Sequence, residues 1–289
     1  MIQGAIFAQK HMVIKDADTH RPLPYATAEC FARQWGSYSD SVGRMILPDS
    51  IWNNCSLVFS FVGYATKTVN LSPQLQEVFL TKLQHTLGDI VLKPCNKFIE
   101  ERLEMRSKEK NFSFVYPPET QGILCAVYVP NRTGKKGIIQ QISYGVQRGN
   151  PKAPVRLRFY TLNTSTGLPA NEISGEVITI VPARLGWLSS NISQYHIAVP
   201  ESGIVVAFEM YDAGPQYRYP EIIHPTDRGT KRILGYGWWI KGMHGDDAIG
   251  FSKKPGSLWL KLSPPLNSGL SARSNSAPQV GLRVKFCRE

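Results

Sequence analysis

The sequence predicts an all-β protein built as a small β-sandwich followed by a larger antiparallel β-sandwich of jelly-roll type, with a short helical linker between them. Three observations carry this. Short runs of alternating apolar and polar residues recur along the chain; in LVFSFVGYATKTVNL, for example, Leu57, Phe59 and Phe61 occupy every second position, the period of a strand with one buried face. The 24 Gly and 20 Pro supply frequent turns between short elements. The 289 residues exceed one ordinary domain of about 100–200 residues.

In the first region, residues 10–95, strands are expected at 11–16, 25–33, 44–47, 56–62, 66–71, 77–81 and 89–92. Turn residues separate them: Asp18-Thr19, Pro22, Asp40 to Gly43 and Gly63-Tyr64. This close spacing of short strands is that of a sandwich. Within the quoted stretch, Gly63 permits a bend that a side chain would obstruct.

The order of several pieces here carries a resemblance: Asp16, Thr19, PLPYA at 22–26, SDSVGRM at 39–45, LVFSFVGYATKTVNL at 57–71, VFLTKL at 78–83 and LGDIVLKP at 87–94. Together they resemble the carboxypeptidase-regulatory-like domain of Bacteroidetes envelope proteins. Met12 stands where members usually have Gly. The resemblance implies a transthyretin-like β-sandwich, an accessory module often found as the N-terminal extension of TonB-dependent outer-membrane receptors. It implies no peptidase, because such a domain lacks the zinc site. The chain continues without a plug-and-barrel pattern, so the receptors' transport role is not carried over.

Residues 96–110, NKFIEERLEMRSKEK, place Phe98, Ile99, Leu103 and Met105 at near-helical spacing, and Glu104 with Lys108 forms an i,i+4 pair. The expectation is a short amphipathic helix or helical linker. The second region, 111–289, has strand patterns at 123–129, 137–146, 155–161, 176–181, 195–199, 204–211, 234–240, 258–262 and 282–286, joined by segments rich in Gly, Pro, Asn and Ser. The runs PVRLRFYTLNTSTGLPANEI and GWLSSNISQYHIAVPESGIVVAFEM are similar to C-terminal domains that follow the regulatory-like domain in other Bacteroidetes proteins; this similarity supplies architecture only.

Charge is uneven. Of the net +11, residues 111–289 contribute +9, with 20 basic and 11 acidic side chains. A basic surface attracts polyanions. The Lys and Arg are scattered through strands, however, and Arg156 and Arg158 share one strand face opposite Val155, Leu157 and Phe159, as on a half-solvated strand. No nucleic-acid partner is expected. Apolar runs fall short of the ~20 residues a membrane-spanning helix needs, so no transmembrane segment is expected.

Cys30, Cys55, Cys95, Cys125 and Cys287 show no CxxC or zinc-type spacing. Most are expected to be buried thiols, with one disulfide open to an exported chain. At the N-terminus, Ala-Ile-Phe-Ala-Gln resembles the end of an export signal, with cleavage after Ala8 and Gln9 as the mature N-terminus; the expectation is a signal peptide truncated at Met1.

No HExxH or GxSxG motif is present, and Gly134-Lys135-Lys136-Gly137 lacks the remainder of a phosphate loop. Two constellations remain. His224, Asp227, His244, Asp246 and Asp247 lie in expected loops, where they could hold calcium or a transition metal; ordinary turn chemistry is the competing explanation. Tyr217, Tyr219, Tyr236, Trp238, Trp239 and Trp259 form a cluster of large rings that could stack on sugar faces or anchor a protein interface. Trp238 and Trp239 point to opposite faces of a strand, so at least one belongs to the core. The resulting expectation is an exported, non-enzymatic envelope protein without a cofactor, in the periplasm or at the cell surface. The first sandwich acts as spacer or docking module, and the second meets an envelope protein or a cell-surface glycan; a carbohydrate-binding module is the alternative.

Overall fold

The computed structural model describes residues 10–52, 55–72, 74–83, 97–107, 112–114, 122–226, 229–245, 247–262 and 275–288. The expected signal remnant, the 89–92 strand and Cys95 lie outside them. The chain divides into two compact units: Met1–His85 with Lys254–Ser257, and Thr86–Lys253 with Leu258–Glu289.

The first unit contains β1 (Lys10–Asp16), β2 (Thr27–Cys30), β3 (Trp35–Tyr38), β4 (Arg44–Leu47), a single helical turn α1 (Asp49–Trp52), β5 (Ser56–Ser60), β6 (Lys67–Asn70) and β7 (Glu77–Leu80). Alternation places Met45 and Leu47 of β4, Leu57 and Phe59 of β5, and Val78 and Leu80 of β7 inward. These strands form two sheets, β4-β1-β7 and β3-β2-β5-β6, around one core that includes Met12 and Ile14. Among the described residues, only the β1–β7 pair is parallel in these sheets.

Cys30 and Cys55 form a disulfide inside this core, Cα atoms 6.2 Å apart, the kind of bond left open by the sequence, while Cys125 is a buried thiol as expected for most of the cysteines. The expected 25–33 strand stops at Cys30; a 3-10 turn over Phe31–Arg33 ends with Gln34 in the left-handed region (φ 49°), and β3 follows. On β2, Glu29 is also buried, and the Gly256 N–H donates to its Oε1 at 2.9 Å. Lys254–Ser257 thus belongs to this unit through a main-chain contact to a carboxylate, a pairing distant in sequence.

The second unit contains β8 (Phe98–Met105), β9 (Phe112–Phe114), β10 (Leu124–Pro130), β11 (Gly137–Gly149), β12 (Val155–Asn163), β13 (Leu168–Glu172), β14 (Ile178–Ile180), β15 (Gly186–Asn191), β16 (Ala198–Val199), β17 (Gly203–Glu209), β18 (Arg218–Thr226), β19 (Gly229–Tyr236), β20 (Trp238–Gly245), β21 (Gly250–Lys253), β22 (Leu260–Lys261), β23 (Asn275–Pro278) and β24 (Val280–Cys287). One sheet runs β13-β12-β17-β10-β21-β22, with β14 on β12; the other runs β23-β20-β11-β24-β8, with β15 and β16 on β11 and β9 on β20. Residues from both, such as Tyr144, Phe159, Phe208, Trp238, Leu282 and Phe286, fill a common core. β18 and β19 form a separate hairpin. The architecture is an all-β, sandwich-like fold.

The expected helical linker is a strand. β8 pairs antiparallel with β24 from Phe98↔Cys287 to Met105↔Val280. Its Leu103 and Met105 are buried while Arg102 and Glu104 are exposed, a period of two. The partner strand lies at the opposite end of the chain, so backbone pairing rather than local periodicity decides the conformation. The expected 234–240 strand is divided instead: Gly237, at φ 67°, separates β19 from β20.

Candidate functional site

The structure sorts the six aromatic residues into different environments. Trp238 is fully buried, its indole N–H donating to the Ala153 carbonyl at 3.2 Å and its ring stacked on Tyr144 at 5.6 Å. Tyr236 is 4% exposed and accepts the Ala213 N–H at 2.6 Å. Both are therefore removed from the expected ligand-binding set, because their rings fill the interior on either side of Gly237. Tyr217 ends a 3-10 turn and packs against the main core. Trp259 meets Tyr160 and Phe251 edge to face at 5.4 and 6.5 Å, in a separate core cluster with Leu124 and Val205.

Two of the six meet at a half-buried surface. The Trp239 indole N–H donates to the Tyr219 hydroxyl at 2.7 Å, and the guanidinium of exposed Arg148 lies 5.0 Å from the Trp239 ring centroid. Glycines make room for this arrangement. A Cβ at Gly235 would stand 2.5 Å from the Tyr219 ring, and one at Gly149 (φ 92°) would stand 2.6 Å from the Gly237 carbonyl. The geometry fixes the indole plane and places a cation on one face of it, an arrangement stabilised by the ring quadrupole.

Among the metal candidates, Asp227 and Asp246 lie outside the described residues, and the side chain of His224 is likewise outside them. His244 Nδ1 is 2.8 Å from Ser276 Oγ, and burial lowers its pKa from the ordinary histidine value. Asp247 is exposed. Among the described residues, no three His, Cys, Asp or Glu side chains gather in metal-binding geometry.

Sequence reasoning missed a buried charge cluster. Arg158 donates from Nε and Nη2 to Glu172 at 2.8 and 2.6 Å, and its Nη1 lies 3.8 Å from Glu209. Arg156 is only 4% exposed and stands 4.7 Å over the Tyr211 ring, so the solvated basic face expected for these arginines is corrected. Both faces of β12 are covered. Burial opposes the Arg158 charge, but the fields of Tyr160, Glu172 and Glu209 outweigh it and hold the pKa well above the ordinary arginine value. Glu209 closes the otherwise apolar run GIVVAFE, a signal that could have flagged it. Among the described residues, its carboxylate oxygens have no hydrogen-bond partner.

Fold and surface together define an all-β, sandwich-type protein. No family model matches the chain. No curated protein matches it either. Solved structures that align with it include two of infectious bursal disease virus: the Gx strain structure, at 6% identity and TM-score 0.24 over 99% of this chain, and the Gt strain structure, at 9% identity and TM-score 0.23 over 100%. A T13 viral particle of the same virus aligns at 8% identity and TM-score 0.24 over 99% of this chain. The chain spans 57% of the matched Gx strain chain and 58% of each of the other two.

Proposed function

We propose that the protein is a non-enzymatic, exported binding protein of the cell envelope, with the first sandwich as spacer or docking module and the second as the partner-binding domain. The observation that carries this reading is the Trp239–Tyr219 hydrogen bond with Arg148 over the indole. A half-exposed Trp held rigid beside an Arg is the composition of an interface anchor, since Trp, Tyr and Arg dominate binding hot spots. The Cys30–Cys55 disulfide supports export, because such bonds persist in oxidising compartments. The resemblance of the first region to envelope accessory domains points the same way.

A protein partner is assigned to this patch because Trp239, Tyr219 and Arg148 together have the side-chain composition of an interface hot spot. The test is affinity capture from the envelope fraction of the native host, using the full chain and a Trp239→Ala variant with unchanged thermal unfolding. A specific envelope protein retained by the native chain and lost with the variant is the expected result. Equal capture by both chains would overturn the assignment of the patch, and recovery of the native protein from the cytosol would overturn the envelope reading.

A further inference from the structure

A second surface lies on the outer face of the sheet formed by β15, β11, β24 and β8. The register sets side chains in cross-strand rows. Ser189 pairs with Ser143, Ser143 with Gly281, and Gly281 with Glu104. One row along, Gln141 pairs with Arg283, which in turn pairs with Arg102. On the other flank stands Trp187, with the Arg106 guanidinium 4.5 Å from its ring centroid. The rows enclose a depression of about 260 Å³. Its floor is low because the central row begins with two serines, their hydroxyls hydrogen-bonded at 2.7 Å, and a glycine.

The charges here are predominantly basic. Arg102 and Arg283 are exposed and directly opposite each other on neighbouring strands, where like charges repel. Arg106 adds a third guanidinium at the same depression. Glu100 forms an ion pair with Arg283 at 3.8 Å and Glu104 lies in the central row, so three guanidinium groups face two carboxylates. An anionic group set between Arg102 and Arg283 would relieve the repulsion, and guanidinium pairs suit carboxylates and sulfates through forked hydrogen bonds. Beside them, Trp187 offers a flat ring, while Ser143, Ser189 and Gln141 offer hydroxyl and amide groups suited to sugar hydroxyls.

We propose that this face binds an acidic oligosaccharide, with a carboxylate or sulfate held between Arg102 and Arg283 and an adjacent sugar ring packed against Trp187. These residues are separate from the Tyr219–Trp239 patch, so the proposal stands or falls independently of it.

Calorimetry on the full chain tests this with polygalacturonate oligomers for a carboxylate, chondroitin sulfate oligomers for a sulfate, neutral cello-oligomers and polyglutamate. Binding of at least one acidic glycan is expected, with neutral oligomers and polyglutamate much weaker. Arg102→Ala, Arg283→Ala and Trp187→Ala should each weaken it by about tenfold or more, and Trp239→Ala should leave it unchanged. Gly281→Leu, which fills the floor without removing a charge, should also abolish binding, and unchanged thermal unfolding of each variant separates the effect from misfolding. Absence of binding to both acidic glycans overturns the proposal. Equal binding of polyglutamate, insensitive to Trp187→Ala, overturns it in favour of a polyanion or acidic-protein surface.

Discussion

Tyr64 donates its hydroxyl to Asp16 Oδ2 at 2.5 Å, joining the turn after β5 to the end of β1. The backbone N–H groups of Asp18 and Thr19 donate to the other carboxylate oxygen at 2.9 and 2.7 Å. Asp16 is 6% exposed, and these three donors serve as its solvation. Residues 57–71 therefore contribute most of β5, all of β6 and also the tyrosine that closes the first sandwich.

This contact makes stability depend on pH at both extremes. The Tyr64 hydrogen bond, followed by the Thr19 and Asp18 donors, lowers the Asp16 pKa from 3.8 to about 2. Its contribution is complete above 3.8 and is lost as pH falls through about 2. Burial, and then the bond to Asp16, raises the Tyr64 pKa from 10.0 to about 12, so the tyrosine's contribution is complete below 10.0 and is lost as pH rises through about 12. Urea unfolding across pH should show both losses. Tyr64→Phe should cost about 1–2 kcal/mol at neutral pH and flatten both limbs.

The disulfide gives a second prediction. Cys30 and Cys55 are 25 residues apart and link β2 to the residue before β5. Closing a loop of that size contributes about 3 kcal/mol, mostly by restricting the unfolded chain. Unfolding followed by a first-unit probe such as Trp35 fluorescence in a variant background should shift by that amount on reduction. A Cys30→Ala, Cys55→Ala double variant should show the same shift of the first unit without reductant; a shift near zero would refute this contribution of the bond.

The Arg158 cluster predicts an asymmetry. Arg158→Met removes the cation shared by Glu172 and Glu209 and breaks the 3.8 Å ion pair of Glu209, which is 1% exposed. Breaking a buried ion pair from one side costs about 3–5 kcal/mol. Glu172→Gln, at a more exposed position, should cost less because one amide oxygen still accepts from Arg158. Equal losses in denaturant unfolding would refute this ranking.

Adjacent tryptophans should behave oppositely. Trp238→Ala empties a site at the centre of the core, beside Tyr144 and Phe208, and should cost about 3–5 kcal/mol. Trp239→Ala removes a half-buried ring and its bond to Tyr219, and its main effect should be on partner capture. Thermal unfolding and the capture assay, run side by side, separate the two roles.

Much of the strand content was legible in the sequence because alternation is local: RMIL and SLVFS each declare which residues face inward, and β4 and β5 place them so. The same rule required one of Trp238 and Trp239 to be buried, but the choice fell to the packing around Gly237. Three features needed the tertiary structure. FIEERLEM satisfies helical and extended spacing alike, and only the distant partner β24 selects the strand. Cys30 and Cys55 carry no pairing signal until the fold brings their Cα atoms to 6.2 Å. Arg156 and Arg158 read as a solvated face, because nothing within β12 shows that the face is covered or that Glu209 lies across from it. Local periodicity determined the strands and their inward residues; long-range pairing decided which charges, rings and sulfurs meet, since those contacts depend on chain segments that local pattern cannot connect.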